Sequence, residues 1–261
     1  MKTRWVRDTS GRFPERPHYV QADLDAECER VIRDFLVARH GALLLPVPTD
    51  DLIRLIERDA QQLDIYADLR DEGPNVEGLT IFEPGMKPTV HIAKELSEDT
   101  RRVNRFRTTL THEFGHVHLH AFVFNMEKPK PMFPEQDDEP WRRQLARVAG
   151  GAIEVSDNRQ RCKRDTIEEA SEYDWMEWQA GYACGALLMP IATLTERVGQ
   201  LKSAMGILGP AQANSPDGRR LVAAIASEFE VSLDAARVRL TKLNHLTAQQ
   251  TGVGFNFEVE S

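Results

Sequence analysis

Two histidines four residues apart, His112 and His116, bracket the run HEFGH, with Glu113 directly after the first. On a helix, residues four apart stack one turn above one another, about 6 Å along the axis, so both imidazoles can aim at one ion. Glu113 lies one position round, where its carboxylate reaches a water on that ion rather than the ion itself. Imidazole nitrogens are good zinc ligands, and a carboxylate beside a metal-activated water is the general base that hydrolysis requires. The spacing therefore points to a catalytic zinc site, provided that the segment is helical. The flanking residues meet that condition: Phe106, Leu110, Phe114, Val117 and Ala121 recur at helical spacing between Asn104 and about Phe124.

A catalytic zinc takes three protein ligands and leaves one position open. His120 continues the series, but it stands about 12 Å along the axis from His112, too far to share an ion, and reads as a supporting or capping histidine. A further histidine ten positions after His112 would make a metzincin; Phe122 stands there. A glutamate on a later helix is the usual alternative. Glu177 is favoured because Ala180, Gly181, Cys184 and Gly185 on its face lack bulk and let two helices approach closely, with Gly115 as the matching gap. Glu168, Glu169 and Glu172 compete for the role. Cys184 could ligate as a thiolate, although a small buried hydrophobe is the commoner fate of a free cysteine. His118 and Tyr182 are the available donors to a developing oxyanion, and no spacing rule fixes either.

These residues need elements to position them. From Asp23 to His40, Leu24, Cys28, Val31, Ile32, Phe35 and Leu36 form a helical stripe, and Thr49 can cap a second helix through about Gln62 with Leu52, Ile53 and Ile56 buried. Leu79–Phe82 and Thr89–Ala93 read as a hairpin around Pro84, Gly85 and Pro88, whose edge could receive an extended substrate. Residues 125–165 hold four early prolines and read as a long loop or insertion, with a short helix over Trp141–Val148 and an exposed basic run around Cys162. A helix is expected from Thr166 to Met189, stopped by Pro190. Two more follow between Gly218 and Leu246, the second capped by Ser232. The first twenty residues, rich in Arg, Pro and Gly, are expected to be frayed or loosely docked.

The 261 residues carry 33 Lys and Arg against 41 Asp and Glu, a net charge of −8, which argues against general attraction to nucleic acid or anionic membranes. No stretch approaches the roughly 20 apolar residues that span a bilayer. The three cysteines, Cys28, Cys162 and Cys184, are odd in number and contain no CxxC pair, so a reducing, cytoplasmic setting is expected.

Three segments together resemble the ImmA/IrrE family of metallopeptidases: RFRTTLTHEFGHVHLH at 105–120, EWQAGYACGALLMP at 177–190 and IASEFEVSLDAARVRLTKL at 225–243. The resemblance implies an α+β, mostly helical zincin-like domain with a small β-sheet or hairpin, followed by a C-terminal helical segment. It implies Zn2+ held by His112, His116 and Glu177, with Glu113 as the base. It also implies an intracellular protein substrate of the helix-turn-helix repressor kind, or an antitoxin-like partner. The expected division is an extension over 1–22, the peptidase domain over 23–200, and a helix-turn-helix-like segment and tail over 201–261. Two departures stand out: Gly181 replaces the Asn or Asp common in the family, and the 125–165 stretch is longer than usual.

The rival reading is a DNA-binding or partner-binding regulator with a non-catalytic metal site, using Arg237, Arg239 and Lys242 of the segment 219–245. The acidic net charge favours instead a helical hairpin packed on the catalytic domain.

Overall fold

The computed structural model describes residues 3–10, 12–125, 158–163 and 174–247. Its architecture is α+β and mostly helical. A hairpin of β1 (Arg4–Arg7) and β2 (Glu15–His18) precedes α1 (Gln21–His40) and α2 (Thr49–Asp59). Next come β3 (Gln62–Ala67), β4 (Val76–Ile81), β5 (Thr89–Ala93), the short α3 (Lys94–Ser97) and the long α4 (Val103–Asn125). Strand β6 (Arg159–Lys163) leads to α5 (Trp175–Leu188) and α6 (Ile191–Met205). The chain continues through β7 (Ala211–Gln212), α7 (Pro216–Phe229), α8 (Leu233–Lys242) and β8 (Leu246–Thr247).

The six apolar residues of the expected first helix are all buried in α1, which ends at Gly41 in the left-handed conformation that glycine adopts without a Cβ penalty. Helix α2 stops at Asp59, and Gln62 already belongs to β3, so the expectation of a helix through Gln62 is corrected. The alternation Leu63, Ile65, Ala67 is a strand signal of period two. Thr49 is the first helical residue rather than the cap, which is Pro48.

The main sheet has the order β3-β5-β4-β6, with β3 parallel to β5 and the other pairings antiparallel. The expected hairpin is present as β4 and β5, with Ile81 opposite Thr89. Both its strands are internal to the sheet, so neither offers the free edge expected for an added substrate strand. The exposed basic loop is also overturned: Arg159–Lys163 pairs along β4, and Cys162 is fully buried. Opposed residues point to one face of a sheet. Gly78 with Cys162 and Ile92, and Thr80 with Gln160 and Val90, thus form the face that meets α4.

Helix α4 is buried almost all round, between the sheet, α2 and α5. Such a helix is normally apolar throughout, yet Arg107, His112, Glu113, His116 and His120 are all buried here. Arg107 is a tie: it donates to the carbonyls of Val47 (2.6 Å), Glu230 (3.1 Å) and Phe229 (3.4 Å) and to Thr49 Oγ1 (3.1 Å). Two of those carbonyls end α7, where a cation meets the negative pole of the helix.

The N-terminal residues are not frayed. The β1–β2 hairpin docks through Trp5 against Phe122, and through Phe13 of its connecting turn against Phe124 and Trp175. The carboxylate of Asp8 holds that turn by accepting from Ser10 and from the Phe13 amide. Helix α6 had no counterpart among the expected elements, although Leu194, Val198 and Leu201 carry its stripe. Ser232 caps α8 as expected, accepting from the Ala235 amide at 3.0 Å. Both C-terminal helices contribute to one hydrophobic cluster with α1, α2 and α4, through Leu221, Ile225, Phe229 and Leu240. The part of the expected fifth helix before residue 174, the competitors Glu168, Glu169 and Glu172, and the expected helix over Trp141–Val148 lie outside the described residues. Among the described residues no helix is long and apolar enough to cross a membrane.

Candidate metal centre

Helix α5 starts beside the middle of α4 and runs along it. Asp174 caps it, its Oδ1 accepting from the Glu177 amide at 3.3 Å, so Glu177 occupies the first turn with its side chain turned to α4. The close approach depends on small residues: a Cβ on Gly115 would stand 3.0 Å from Ala180 Cα and 3.2 Å from Ala180 O. Ala180 and Cys184 face α4, and the Cys184 thiol lies between Thr111 Oγ1 (3.2 Å) and the Thr108 carbonyl (3.4 Å). Gly181 and Gly185 face the other way, toward α8. The expected small-residue stripe thus divides between two neighbours.

Donor atoms of three residues converge where the helices meet. His112 Nε2 lies 3.1 Å from His116 Nε2 and 3.1 Å from Glu177 Oε2, and His116 Nε2 lies 3.2 Å from Glu177 Oε1. Such separations suit atoms sharing one ion through bonds of about 2.0 to 2.2 Å.

Hydrogen bonding fixes the tautomer of one imidazole. Gln179 Nε2 donates to the Pro17 carbonyl at 3.0 Å, so its Oε1 must accept from His120 Nε2, also at 3.0 Å. His120 is buried and its pKa is pushed well down by that burial and by His116, so it is neutral and its Nδ1 is an acceptor. His116 Nδ1, 3.1 Å away, must then donate, leaving the Nε2 lone pair for the centre. The β1–β2 hairpin therefore anchors, through Gln179 and His120, the orientation of His116. His120 acts as the supporting histidine that its spacing implied.

Burial and ion pairing act against each other at this centre. Burial lowers the pKa of both ligand histidines, yet Glu177 outweighs it for His116, whose pKa is raised, while that of His112 stays lowered. Glu177 is itself raised by burial, but the two imidazoles overcome this and hold it well below the usual carboxylate range. The donors fit a divalent cation: two borderline nitrogens and a carboxylate oxygen are a common zinc set.

Glu113 stands on the sheet side of α4. Its Oε2 accepts from Thr80 Oγ1 at 2.5 Å, while its buried Oε1 has no hydrogen-bond partner among the described residues. Burial pushes its pKa up to about 8. Gly78 makes the room, since a Cβ there would fall 2.2 Å from Glu113 Oε1. No spacing rule pointed to Gly78, Thr80 or Gln179. Their roles depend on sheet register and helix docking.

A second grouping, His112, Glu113 and Cys162, places ligand atoms within 4.8 Å of one another. Burial with the nearby carboxylates pushes the Cys162 thiol well above its ordinary range, against the thiolate a metal needs. Cys184 joins neither grouping. Both oxyanion candidates are engaged elsewhere: His118 Nε2 lies 2.9 Å from Glu27 on α1, and Tyr182 donates to Asp25 at 2.8 Å. Of the three cations considered for DNA contact, Arg239 is buried against Asp25, Lys242 lies over the Tyr182 ring and the exposed Arg237 is paired with Asp234.

The chain matches no protein-family model and no curated protein.

Proposed function

We propose that the chain is a zinc-dependent endopeptidase of the HExxH type, zincin-like in fold and akin to the ImmA/IrrE family that its motifs resemble. One observation carries the reading: His112 and His116 bring their Nε2 atoms within 3.1 Å of each other and each within 3.2 Å of a Glu177 carboxylate oxygen, beside a buried glutamate with an oxygen unpartnered among the described residues. A structural site needs no such base. Zinc held by those three residues would lower the pKa of a water and polarise a peptide carbonyl. Thr80 grips Oε2 of Glu113, so Oε1 is the atom left to take a proton from a water beside the imidazole pair and pass it to the leaving amine. His120 and Gln179 keep the His116 lone pair aimed inward. By the resemblance, the substrate is an intracellular regulatory protein of the helix-turn-helix repressor or antitoxin-associated kind, cut in the cytoplasm.

The test compares wild type with Glu113→Gln for zinc content and for cleavage of an unfolded protein and of helix-turn-helix repressors, with and without chelator. The variant is expected to keep its zinc and to lose cleavage by roughly a hundredfold or more. Equal cleavage by the two proteins refutes the role of Glu113, and cleavage that survives chelation refutes the metal.

A further inference from the structure

A cavity of about 90 Å³ lies between α4, α5 and α8, several times the roughly 10–15 Å³ that one water needs. Arg105 and Thr108 line it from α4, Tyr182 from α5, and Arg239 and Lys242 from α8. Gly181 and Gly185 also face it, and the absence of side chains there keeps the space open.

The walls are largely apolar, and the charged groups among them are mostly cations. Lys242 has its ammonium 5.1 Å from the Tyr182 ring centroid and no carboxylate partner among the described residues. Arg239 is only 2% exposed. Its Nη2 meets Asp25 Oδ1 at 2.6 Å and the Met189 carbonyl at 3.3 Å, but Nε and Nη1 have no hydrogen-bond partner among the described residues. Buried guanidinium nitrogens are rarely left so, because losing water without gaining an acceptor is costly. Arg105 shares Glu77 with Arg102. The acid on the cavity wall, Asp234, is exposed and paired with Arg237. Burial and the neighbouring Arg239 hold Lys242 below the ordinary lysine range, as expected where cations crowd together.

We propose that this cavity is a binding site for a small anion bearing a phosphate or carboxylate group, held by Lys242 and the unpartnered nitrogens of Arg239. The bound anion touches three helices at once: α4 one turn before His112, α5 beyond Glu177, and α8. It would therefore tie the C-terminal helices to both elements that carry the metal ligands. The site is separate from the metal centre and does not depend on catalysis.

Calorimetric titration of the full chain with inorganic phosphate and with butyrate, at constant ionic strength in chloride, tests the proposal. Saturable one-to-one binding of at least one probe is expected. Lys242→Met, which keeps the aliphatic stem over Tyr182, should weaken it tenfold or more, and Arg237→Met on the exposed face should leave it within twofold. Gly181→Leu, which fills the cavity without changing charge, provides an independent loss of binding should Lys242→Met fold poorly. Phosphate binding alone assigns the site to phosphate or its esters, and butyrate binding alone to organic acids. No saturable binding of either probe, or equal binding by wild type, Lys242→Met and Gly181→Leu, overturns the proposal.

Discussion

Two groups of buried carboxylates in this protein sit in contrasting settings. Asp25 meets Arg239 at 2.6 Å, Asp51 meets Arg39 at 2.7 Å, and Glu77 lies between Arg102 and Arg105. At the centre between α4 and α5, Glu177 faces only two imidazoles, and Glu113 has one hydroxyl. A guanidinium carries a permanent charge and settles a buried acid once and for all. Imidazoles and a hydroxyl leave the balance to whatever else occupies the space. The first group ties elements of the fold together, whereas the second leaves its balance open, as the metal binding and proton transfer proposed above would require.

That contrast can be broken most sharply at Glu177. Glu177→Ala should lose zinc affinity by well over the roughly 100-fold typical of removing a residue behind a ligand, while the metal-free chain keeps its fold. Zinc titration against a competing chelator and thermal unfolding of the metal-free form measure the two halves. The counterpart is Asp25→Ala, which strands a buried guanidinium and should cost about 3–5 kcal/mol by denaturant unfolding, with zinc stoichiometry intact in whatever remains folded.

The pH dependence of the metal-free chain sharpens the difference further. Burial holds the Glu113 pKa at about 8, above its ordinary 4.5, so between those values the folded state binds more protons than the unfolded. Its contribution to stability is complete below about 4.5 and is lost as pH rises through 8. In chelator, wild type should therefore lose stability relative to Glu113→Gln between pH 5 and 9. Parallel pH profiles for the two proteins would show that Glu113 is not held in that state. The smallest expected effect is at Gln179: Gln179→Ala frees His120 to turn and should weaken zinc binding by roughly 10–100-fold, with the three ligands still present.

Much of the helical framework was legible because its signals are local. The stripe of α1, the Ser232 cap of α8 and the periodicity of α4 each lie within a few turns of chain. Strand β6 was not legible: RQRCK has no apolar alternation, and it becomes a strand only because β4 offers it a ladder. The docked N-terminus was missed for a similar reason, since Trp5 and Phe13 find their partners more than a hundred residues away.

By itself, the sequence determined the pair of imidazoles and the adjacent acid, because one helical turn dictates where His112, Glu113 and His116 point. It also narrowed the third ligand through the small residues after Glu177. Tertiary structure alone brought Glu177 within 3.2 Å of both histidines, set Gly78 and Thr80 against Glu113, and ran the hydrogen-bond chain from His116 to Pro17. The physical reason is that helix periodicity acts over four residues, whereas these contacts join parts of the chain whose proximity depends on sheet register and on how closely two helices can pack.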